Sequence, residues 1–599
     1  TKYSGNTRKK ELMKSHIYTS ILLMSLFSAN AQEKKRDTLV TTEVVNIITR
    51  YNPKIAAAKK IAKNPTNTLL EKNNKKKLKY LIYSAPVAST FIPKSGVVKG
   101  INVGVKERVY RHYLAAGFGN YKSPYAELFI SKSKRFDNAF GLHATYTASN
   151  QNIDKTKLTS TFSTFSTSAF YTQEEHSFDW KIQSGIQRNA YNWYGLPQDR
   201  TYTEAVVNAI DAQQNYTYVE LAGDFNFYDS YLKKGNVSMG YFLDRFKSSE
   251  ILVNFNIDSR FPISFFKNSL NGISITGGLE FLKGSFKNNY QNTNAIQYQQ
   301  NTLNIIPQYS MDYRGLSLKA SLRTFVSLDT ENKLTNFFVF PEVQLQTDIY
   351  KKYIHGTIGF TGNLHTNTYQ QFTEENPYVS PTLFITQTAE TANLYIAFDG
   401  SLSRELSYHL ELSAKKEEDK PLFLRNKSKS AVLKNPFNGS TVKGYEYGNS
   451  FTIYYDDVQS SSILAEVDYQ YNESLRLSAQ IKYNNYSTIN ASENWNLPSL
   501  QSTFIANYKA QKWYAMITTF YVSERKDALY NSTSNSTALT VARLNSYIDL
   551  NVNGGYHFST QFSTFLKLNN LLNTKYQRFA NFDTQGLQIS GGITYKFDL

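Results

Sequence analysis

The chain has 599 residues with a formal net charge of +18, and the absence of cysteine excludes a disulfide framework, a thiolate metal site and a lipoprotein anchor. It contains 45 Tyr and 39 Phe although its mean hydropathy is only −0.45. Aromatic rings in such numbers are typical of proteins that place them at membrane–water interfaces.

Residues 1–31 predict an export signal. Lys14 precedes a short apolar stretch, Ile17–Phe27, and Ala29–Ala31 supply the small residues of a cleavage site. About eleven apolar residues are too few to cross a membrane as a helix. We therefore expect the mature protein to begin at Gln32.

Residues 32–100 form a distinct Lys-rich region, with basic runs at Lys59–Lys60 and Lys75–Lys77. Most of the net charge of the chain lies in this region, which holds too little apolar surface for a core of its own. We expect a partly ordered periplasmic arm. Its anionic partners would be lipid headgroups, peptidoglycan carboxylates or an acidic protein face. No nucleic acid is expected, because aromatic residues do not alternate with the lysines.

From about Arg111 onward, apolar and polar residues alternate with period two. The pattern is clearest in Ile273–Phe281, Ile354–Leu364, Leu475–Tyr483 and Leu587–Leu599. Many of these segments have the length needed to cross a bilayer at a tilt. No segment after the export signal has the ~18 consecutive apolar residues of a membrane helix, and a closed barrel is the only other structure that satisfies the backbone in lipid.

The connections between these segments alternate between short and long. Short ones are predicted at Lys351–Lys352, Asn472–Ser474, Lys509–Lys512 and Ser559–Gln561, and long ones at Tyr191–Gln214, Tyr369–Leu383, Glu418–Gly448 and Arg525–Ala542. Short periplasmic turns and long extracellular loops are the pattern of outer-membrane barrels. Residues 101–599 therefore predict an all-β fold, a transmembrane antiparallel β-barrel of about 22 strands in the cell outer membrane.

The C-terminal residues resemble TonB-dependent receptors, particularly those of Bacteroidota. The resemblance rests on Leu568–Tyr576 and on the closing strand Gly591–Phe597. It implies that Tyr595, Phe597 and Leu599 form a β-signal read by the barrel-assembly machinery. Two departures are Asp583–Gly586, where the family has a Pro-Gly-Arg element, and an N-terminal region too short for the usual plug.

The resemblance also implies a TonB-box-like segment near the mature N-terminus. Its residues are Asp37, Thr38, Leu39, Val40 and Thr41. An ordinary N-terminal tail is the alternative reading of the same residues.

Catalysis is not expected, and no cofactor is predicted. The eight histidines form no metal-binding spacing, and Ser is too abundant to single out a nucleophile. His355 and His557 lie close to predicted turns, where an interfacial ring is the ordinary role.

A barrel of this width needs something to close it, because diameter grows with strand number. The N-terminal arm, inward-folded loops or a partner would serve, and acidic residues on the inner face would receive part of the charge of the arm. Those residues are Glu280, Glu342, Asp348, Glu466 and Asp468.

Two functions follow. The first is a TonB-dependent-receptor-like barrel that takes up or binds a nutrient, and the second is a non-transporting barrel subunit of a larger outer-membrane complex for assembly, secretion or nutrient capture. The expected partners are outer-membrane lipid and lipopolysaccharide, the barrel-assembly machinery during biogenesis, and either TonB or other subunits of such a complex.

Overall fold

The computed structural model describes residues 109–598, apart from 135–136, 199, 263–269, 352, 430–432, 435–439 and 531–538. The export signal, the Lys-rich region, the TonB-box-like segment Asp37–Thr41 and Leu599 lie outside the described residues. No helix among the described residues is long and apolar enough to cross a membrane.

The described chain consists mainly of β-strands. In chain order they are β1 (His112–Gly119), β2 (Ser123–Ser133), β3 (Asn138–Ser149), β4 (Phe162–Glu174), β5 (Phe178–Asn192), β6 (Gln213–Phe227), β7 (Leu232–Asp244), β8 (Ser249–Pro262), β9 (Leu270–Phe286), β10 (Ile296–Tyr313), β11 (Leu316–Asp329), β12 (Leu334–Tyr350), β13 (Ile354–His365), β14 (Thr388–Ser401), β15 (Leu406–Arg425), β16 (Phe451–Gln470), β17 (Leu475–Thr488), β18 (Leu500–Lys509), β19 (Trp513–Val522), β20 (Arg525–Tyr530), β21 (Leu539–Leu544), β22 (Tyr547–His557), β23 (Phe562–Asn569), β24 (Gln577–Phe579), β25 (Phe582–Asp583) and β26 (Gln588–Phe597). Two short helices lie in loops, α1 (Glu204–Ala209) and α2 (Tyr369–Glu375), and a 3-10 turn spans Asn120–Lys122.

A single 22-stranded antiparallel sheet closes on itself. Closure occurs where β1 pairs with β26, in a register that runs from His112 opposite Phe597 to Gly119 opposite Ser590. The strands β20–β21 and β24–β25 form separate two-stranded sheets within loops. Closure leaves no free edge, so every barrel strand has a neighbour on both sides, as a bilayer requires. The predicted fold class is confirmed.

The two faces of the barrel wall follow the period-two pattern of the sequence. On β9, Leu279 is 55% exposed and points outward, and its neighbour Glu280 points inward and bonds Thr366 of a loop. The outward face carries a band of large apolar side chains on nearly every strand, among them Leu221, Ile358 and Ile463. Because lipid contacts this band, its exposure costs nothing in a membrane.

The longest connections all lie at one end of the barrel, where β1, β7 and β11 are nevertheless followed by short ones. Short turns follow β2, β4, β10, β12, β16, β18 and β22, and long loops follow β3, β5, β13, β15, β17, β19 and β23. We assign the short-turn end to the periplasm and the long-loop end to the outside. The predicted acidic residues Glu280, Glu342, Asp348, Glu466 and Asp468 all lie on the inward face of their strands.

Two predicted loop boundaries are wrong. The loop predicted to begin at Glu418 begins after Arg425, because β15 continues through an irregularity between Glu417 and Lys420. The run of charged residues there extends above the membrane, where paired charges are tolerated in a strand. The loop Arg525–Ala542 is not irregular, since it contains strand β20 and part of strand β21.

Candidate functional site

The long loops fold together across the outer end of the barrel. We define the cap as the described residues of the loops 193–212, 366–387, 426–450, 489–499, 523–546 and 570–587. Trp193 is fully buried, and its indole Nε1 donates to the carbonyl oxygen of Tyr378 at 3.1 Å. The hydroxyl of Tyr194 donates to the carbonyl oxygen of Asp583 at 2.7 Å. These contacts join loops that leave the wall at β5, β13 and β23, so the cap spans the mouth.

Aromatic rings form the centre of the cap. Tyr378 and Phe582 stack with ring centroids 3.8 Å apart, and Phe451 lies 5.0 Å from Phe579. The cluster continues onto the inner wall, where Phe242, Leu282 and Phe286 are buried. The cap and the upper barrel wall therefore share one hydrophobic core.

Two carboxylates of the wall hold helix α2. Glu250 accepts hydrogen bonds from the backbone N–H of Tyr369 at 2.7 Å and of Gln370 at 3.1 Å, and from the hydroxyl of Tyr298 at 2.7 Å. Asp244 accepts from the hydroxyl of Tyr369 at 2.9 Å. These bonds satisfy N–H groups of the first helical turn that have no partner inside the helix. The loop 366–387 is thereby fixed to the barrel.

Three consecutive charged residues of β20 are fully buried in the cap: Arg525, Lys526 and Asp527. The guanidinium of Arg525 donates to the carbonyl oxygen of Arg578 at 2.9 Å, and Lys526 pairs with Glu493. Burial lowers the pKa of Arg525 to about 10, so the side chain stays charged at neutral pH.

Asp527 links three loops. It accepts from the backbone N–H of Ala580 at 2.8 Å, from its neighbour Ala528 at 2.8 Å and from Nδ2 of Asn496 at 3.2 Å. Burial raises the pKa of the Asp527 carboxyl. A buried charge of this kind is tolerated only because donors surround it.

A cavity of about 210 Å³ lies where the cap meets the inner wall of β13–β15. The polar lining comes mainly from the wall, whereas the apolar lining comes equally from strand β15 and from the cap. The polar side includes His365, Thr388, Lys415, Glu417 and Lys420, and the apolar side includes Leu422, Phe423, Trp495, Leu497 and Phe579.

The charges on the polar side are paired. Nζ of Lys415 lies 2.8 Å from Glu390 and 3.3 Å from Glu417, and Nζ of Lys420 lies 2.7 Å from Glu417. His365 lies 3.4 Å from Glu390. The side chains of Glu390 and Glu417 are largely buried, so the pairing compensates the cost of holding charge away from water.

A second polar feature lies at the periplasmic end of the lumen. On adjacent strands β12 to β16, Asp348, His355, Asp399, His409 and Glu466 occupy directly paired positions and form a row across the inner wall. His355 bonds Asp348, and Nδ1 of His409 lies 2.5 Å from Asp399. Within the described residues, no group of three or more His, Asp or Glu side chains is arranged to hold a metal ion.

The predicted β-signal lies partly within the described residues. Tyr595 is 46% exposed on the outward face of β26, and its ring stacks 6.0 Å from that of Phe597 on the same face. The β-signal role of Tyr595, Phe597 and Leu599 and the TonB-box role of Asp37–Thr41 remain predictions. His355 belongs to the luminal row, so its predicted role as an interfacial ring is wrong.

No family model matches the chain, and no curated protein matches it. Solved structures do. The FrpB iron transporter of Neisseria meningitidis superposes with a TM-score of 0.59 at 10% identity, over 82% of this chain and 83% of FrpB. The ferric-catecholate import receptor Fiu of E. coli K12 gives a TM-score of 0.57 at 9% identity, over 82% of each chain.

A third match is the pyoverdine outer-membrane receptor FpvA of Pseudomonas aeruginosa. It gives a TM-score of 0.58 at 11% identity, over 82% of this chain and 79% of FpvA. The chain therefore shares with these proteins the fold of a large closed β-barrel. With its apolar belt, such a barrel lies in the outer membrane.

The sequence pattern missed the residues that build the cap and the cavity. Trp193 and Arg525 lie in loops that the alternation of loop lengths identified only as long and polar, and Asn496 lies in a loop that the alternation did not identify. The one local signal is the density of aromatic residues between Tyr191 and Tyr202, which is unusual for a solvated loop.

Proposed function

We propose that this protein is a receptor-like outer-membrane barrel that binds a nutrient on its outer side and takes it up with energy supplied through TonB. The observation that carries the proposal is the likeness of the 22-stranded barrel, over 82% of the chain, to an iron transporter and an import receptor. The cavity beneath the cap adds a concave site with polar and apolar sides, as ligand sites usually have.

A photo-crosslinking amino acid in the TonB-box-like segment tests this function. Placed at Leu39, it should trap TonB in intact cells. Leu39→Pro should abolish TonB-dependent uptake, because Pro has no backbone N–H to donate to a neighbouring strand. The matched control carries the crosslinker at Val45, outside the segment. Equal yields at the two positions, or none at Leu39, would contradict TonB coupling.

A non-transporting subunit of a larger outer-membrane complex is the second candidate. The packing of the cap favours it, because Trp193, Tyr369, Arg525 and Lys526 are all fully buried in a closed core. Gentle purification in detergent discriminates between the two. Stoichiometric outer-membrane partners support the subunit, whereas a barrel that purifies alone and crosslinks to TonB supports transport.

We also propose that residues 32–100 form a periplasmic Lys-rich arm in place of a full plug, in a protein of Bacteroidota origin. The acidic members of the luminal row, Asp348, Asp399 and Glu466, support a contact with this arm because they face the lumen at the periplasmic end. Replacing all three by neutral amides should expose the arm to added protease, and unchanged cleavage would argue against the contact.

A further inference from the structure

The cavity beneath the cap contains an unused hydrogen-bond acceptor. Asn496 is 2% exposed and lines the cavity. Its Nδ2 donates to the carbonyl oxygen of Phe423 and to Oδ1 of Asp527, both at 3.2 Å. Its Oδ1 is buried and has no partner. An unsatisfied buried acceptor is unfavourable, so a ligand donor that reached this atom would be bound more tightly.

The backbone of Asn496 adds to this observation. Its φ is +60°, in the left-handed region that residues other than Gly and Asn seldom adopt. The two flanking side chains, Trp495 and Leu497, are buried on the apolar side of the cavity. The turn therefore places an amide residue between two apolar residues of the cavity lining.

Both signs of charge stand next to each other in the polar lining of the cavity. Lys420 donates to Glu417 and, like any ammonium, has three N–H donors in all. Lys415 lies between Glu390 and Glu417. A ligand with a single charge would meet a repelling partner here as well as an attracting one. A ligand that carries both charges on neighbouring atoms would match the pair.

The apolar side and the size define the rest of the ligand. Phe423, Trp495 and Phe579 offer ring surface but few hydrogen bonds. A volume of about 210 Å³ is below the usual range of drug-sized pockets. A short apolar side chain would fill the space against these rings without bringing in polar groups that need partners.

We propose that this cavity binds a small zwitterion with an apolar side chain, of the chemical class of a free α-amino acid. The carboxylate lies against Lys420, and the ammonium lies against Glu417 and donates to Oδ1 of Asn496. The side chain packs on Trp495 and Phe423. The site deepens the proposed function, on which its role in uptake rests, by naming the class of nutrient.

Calorimetry on the full chain in detergent tests the ligand class. The probes are L-leucine, 4-methylpentanoate, which lacks the ammonium, 3-methylbutylamine, which lacks the carboxylate, and D-glucose. L-leucine should bind, and each one-charge analogue should bind about tenfold more weakly or worse, because one buried partner is then lost. Binding of an analogue or of glucose as tight as that of L-leucine would overturn the proposal, as would the absence of heat with every probe.

Two variants assign the contacts. Asn496→Gly keeps the left-handed backbone but removes both the acceptor and the two bonds from Nδ2, so it should weaken L-leucine about tenfold more than it weakens 4-methylpentanoate. Lys420→Met should weaken L-leucine but should not weaken 3-methylbutylamine, because the variant removes the cation that repels an amine. The matched control is Asn573→Gly, since Asn573 also has a positive φ of 50° but lies outside the cavity lining.

Folding of each variant is checked by the heat-modifiable mobility of the barrel. If Asn496→Gly fails to fold, Lys420→Met still decides, because unchanged L-leucine binding in that variant would overturn the site. Binding is measured without TonB. Binding of L-leucine without TonB-dependent uptake would therefore refute the proposed function and leave the site standing. Crosslinks to TonB without binding of L-leucine would refute the site and leave the proposed function standing.

Discussion

At the scale of single residues, Asp527 shows how the cap depends on a buried charge. Burial raises the pKa of the Asp527 carboxyl. In the folded cap this carboxyl is therefore still protonated at a pH at which the opened segment has already released the proton. Between the ordinary Asp pKa of about 4 and the raised value, the opened state binds fewer protons. The free energy of opening the cap should therefore fall as pH rises through this window. Hydrogen exchange of the backbone amides of residues 577–582, corrected for intrinsic exchange rates, measures this free energy of opening.

The substitution Asp527→Asn should remove this pH dependence and also weaken the cap. An amide has one oxygen where the carboxylate has two, so its NH₂ would face the N–H of either Ala580 or Ala528. The loss of one buried bond should lower the free energy of opening by about 1–3 kcal/mol. Asp211→Asn, which changes an exposed carboxylate of the loop 193–212, is the control and should change little. Equal exchange in the two variants would contradict the role given to Asp527.

At the scale of elements, the loops 193–212 and 426–450 approach each other so closely that one position accepts only Gly. A Cβ at Gly444 would lie 1.7 Å from the carbonyl oxygen of Asp211. Backbone cannot move aside as a flexible side chain can, so Gly444→Ala should separate the loops and expose Trp193. We expect faster protease cleavage within the cap and a red-shifted tryptophan emission.

The control for that prediction is Gly277→Ala on strand β9. A Cβ at Gly277 meets nothing within 4 Å, and the barrel should tolerate it. A cap as resistant to protease in Gly444→Ala as in Gly277→Ala would mean that the loops do not pack as closely as described.

Strand β26 closes the barrel, and its outward face makes a further prediction. Tyr595 is exposed to lipid and Phe597 lies on the same face beside His112, with ring centroids 5.3 Å apart. The direct cost of Phe597→Arg should be small, at about 0–1 kcal/mol near an interface. Its larger effect should be loss of the assembly signal, seen as a low yield of heat-modifiable barrel. Lys596→Arg, on the inward face, should assemble normally.

The elements differ in how far the sequence predicts them. The barrel strands follow from a local pattern, since alternation in Leu475–Tyr483 already separates lipid from lumen. The cap does not follow from such a pattern. Trp193 is buried by Tyr378 and Tyr445, which are remote in sequence, and no local period encodes such a contact. Charged residues such as Arg525 and Lys526 look solvated until their partners in other loops are known.

At the scale of the whole molecule, the assignment of the two ends is directly testable because the chain has no cysteine. Thr293 lies exposed in the loop after β9, and Glu473 lies exposed in the turn after β16. An impermeant maleimide added to intact cells should label Thr293→Cys and spare Glu473→Cys. After the outer membrane is permeabilised, both should react. The opposite pattern in intact cells would mean that the long-loop end faces the periplasm.

The last prediction concerns what closes the lumen. The cap joins loops from separate parts of the wall through buried contacts such as Trp193 with Tyr378 and Asp527 with Ala580. A packed cap should block ions even when nothing fills the periplasmic side. Deleting Glu33–Val87 should therefore leave the conductance in planar bilayers low. Gly444→Ala should raise it modestly, and the combined variant should conduct most, because both ends of the lumen are then open. High conductance after the deletion alone would mean that the N-terminal region, rather than the cap, is the seal.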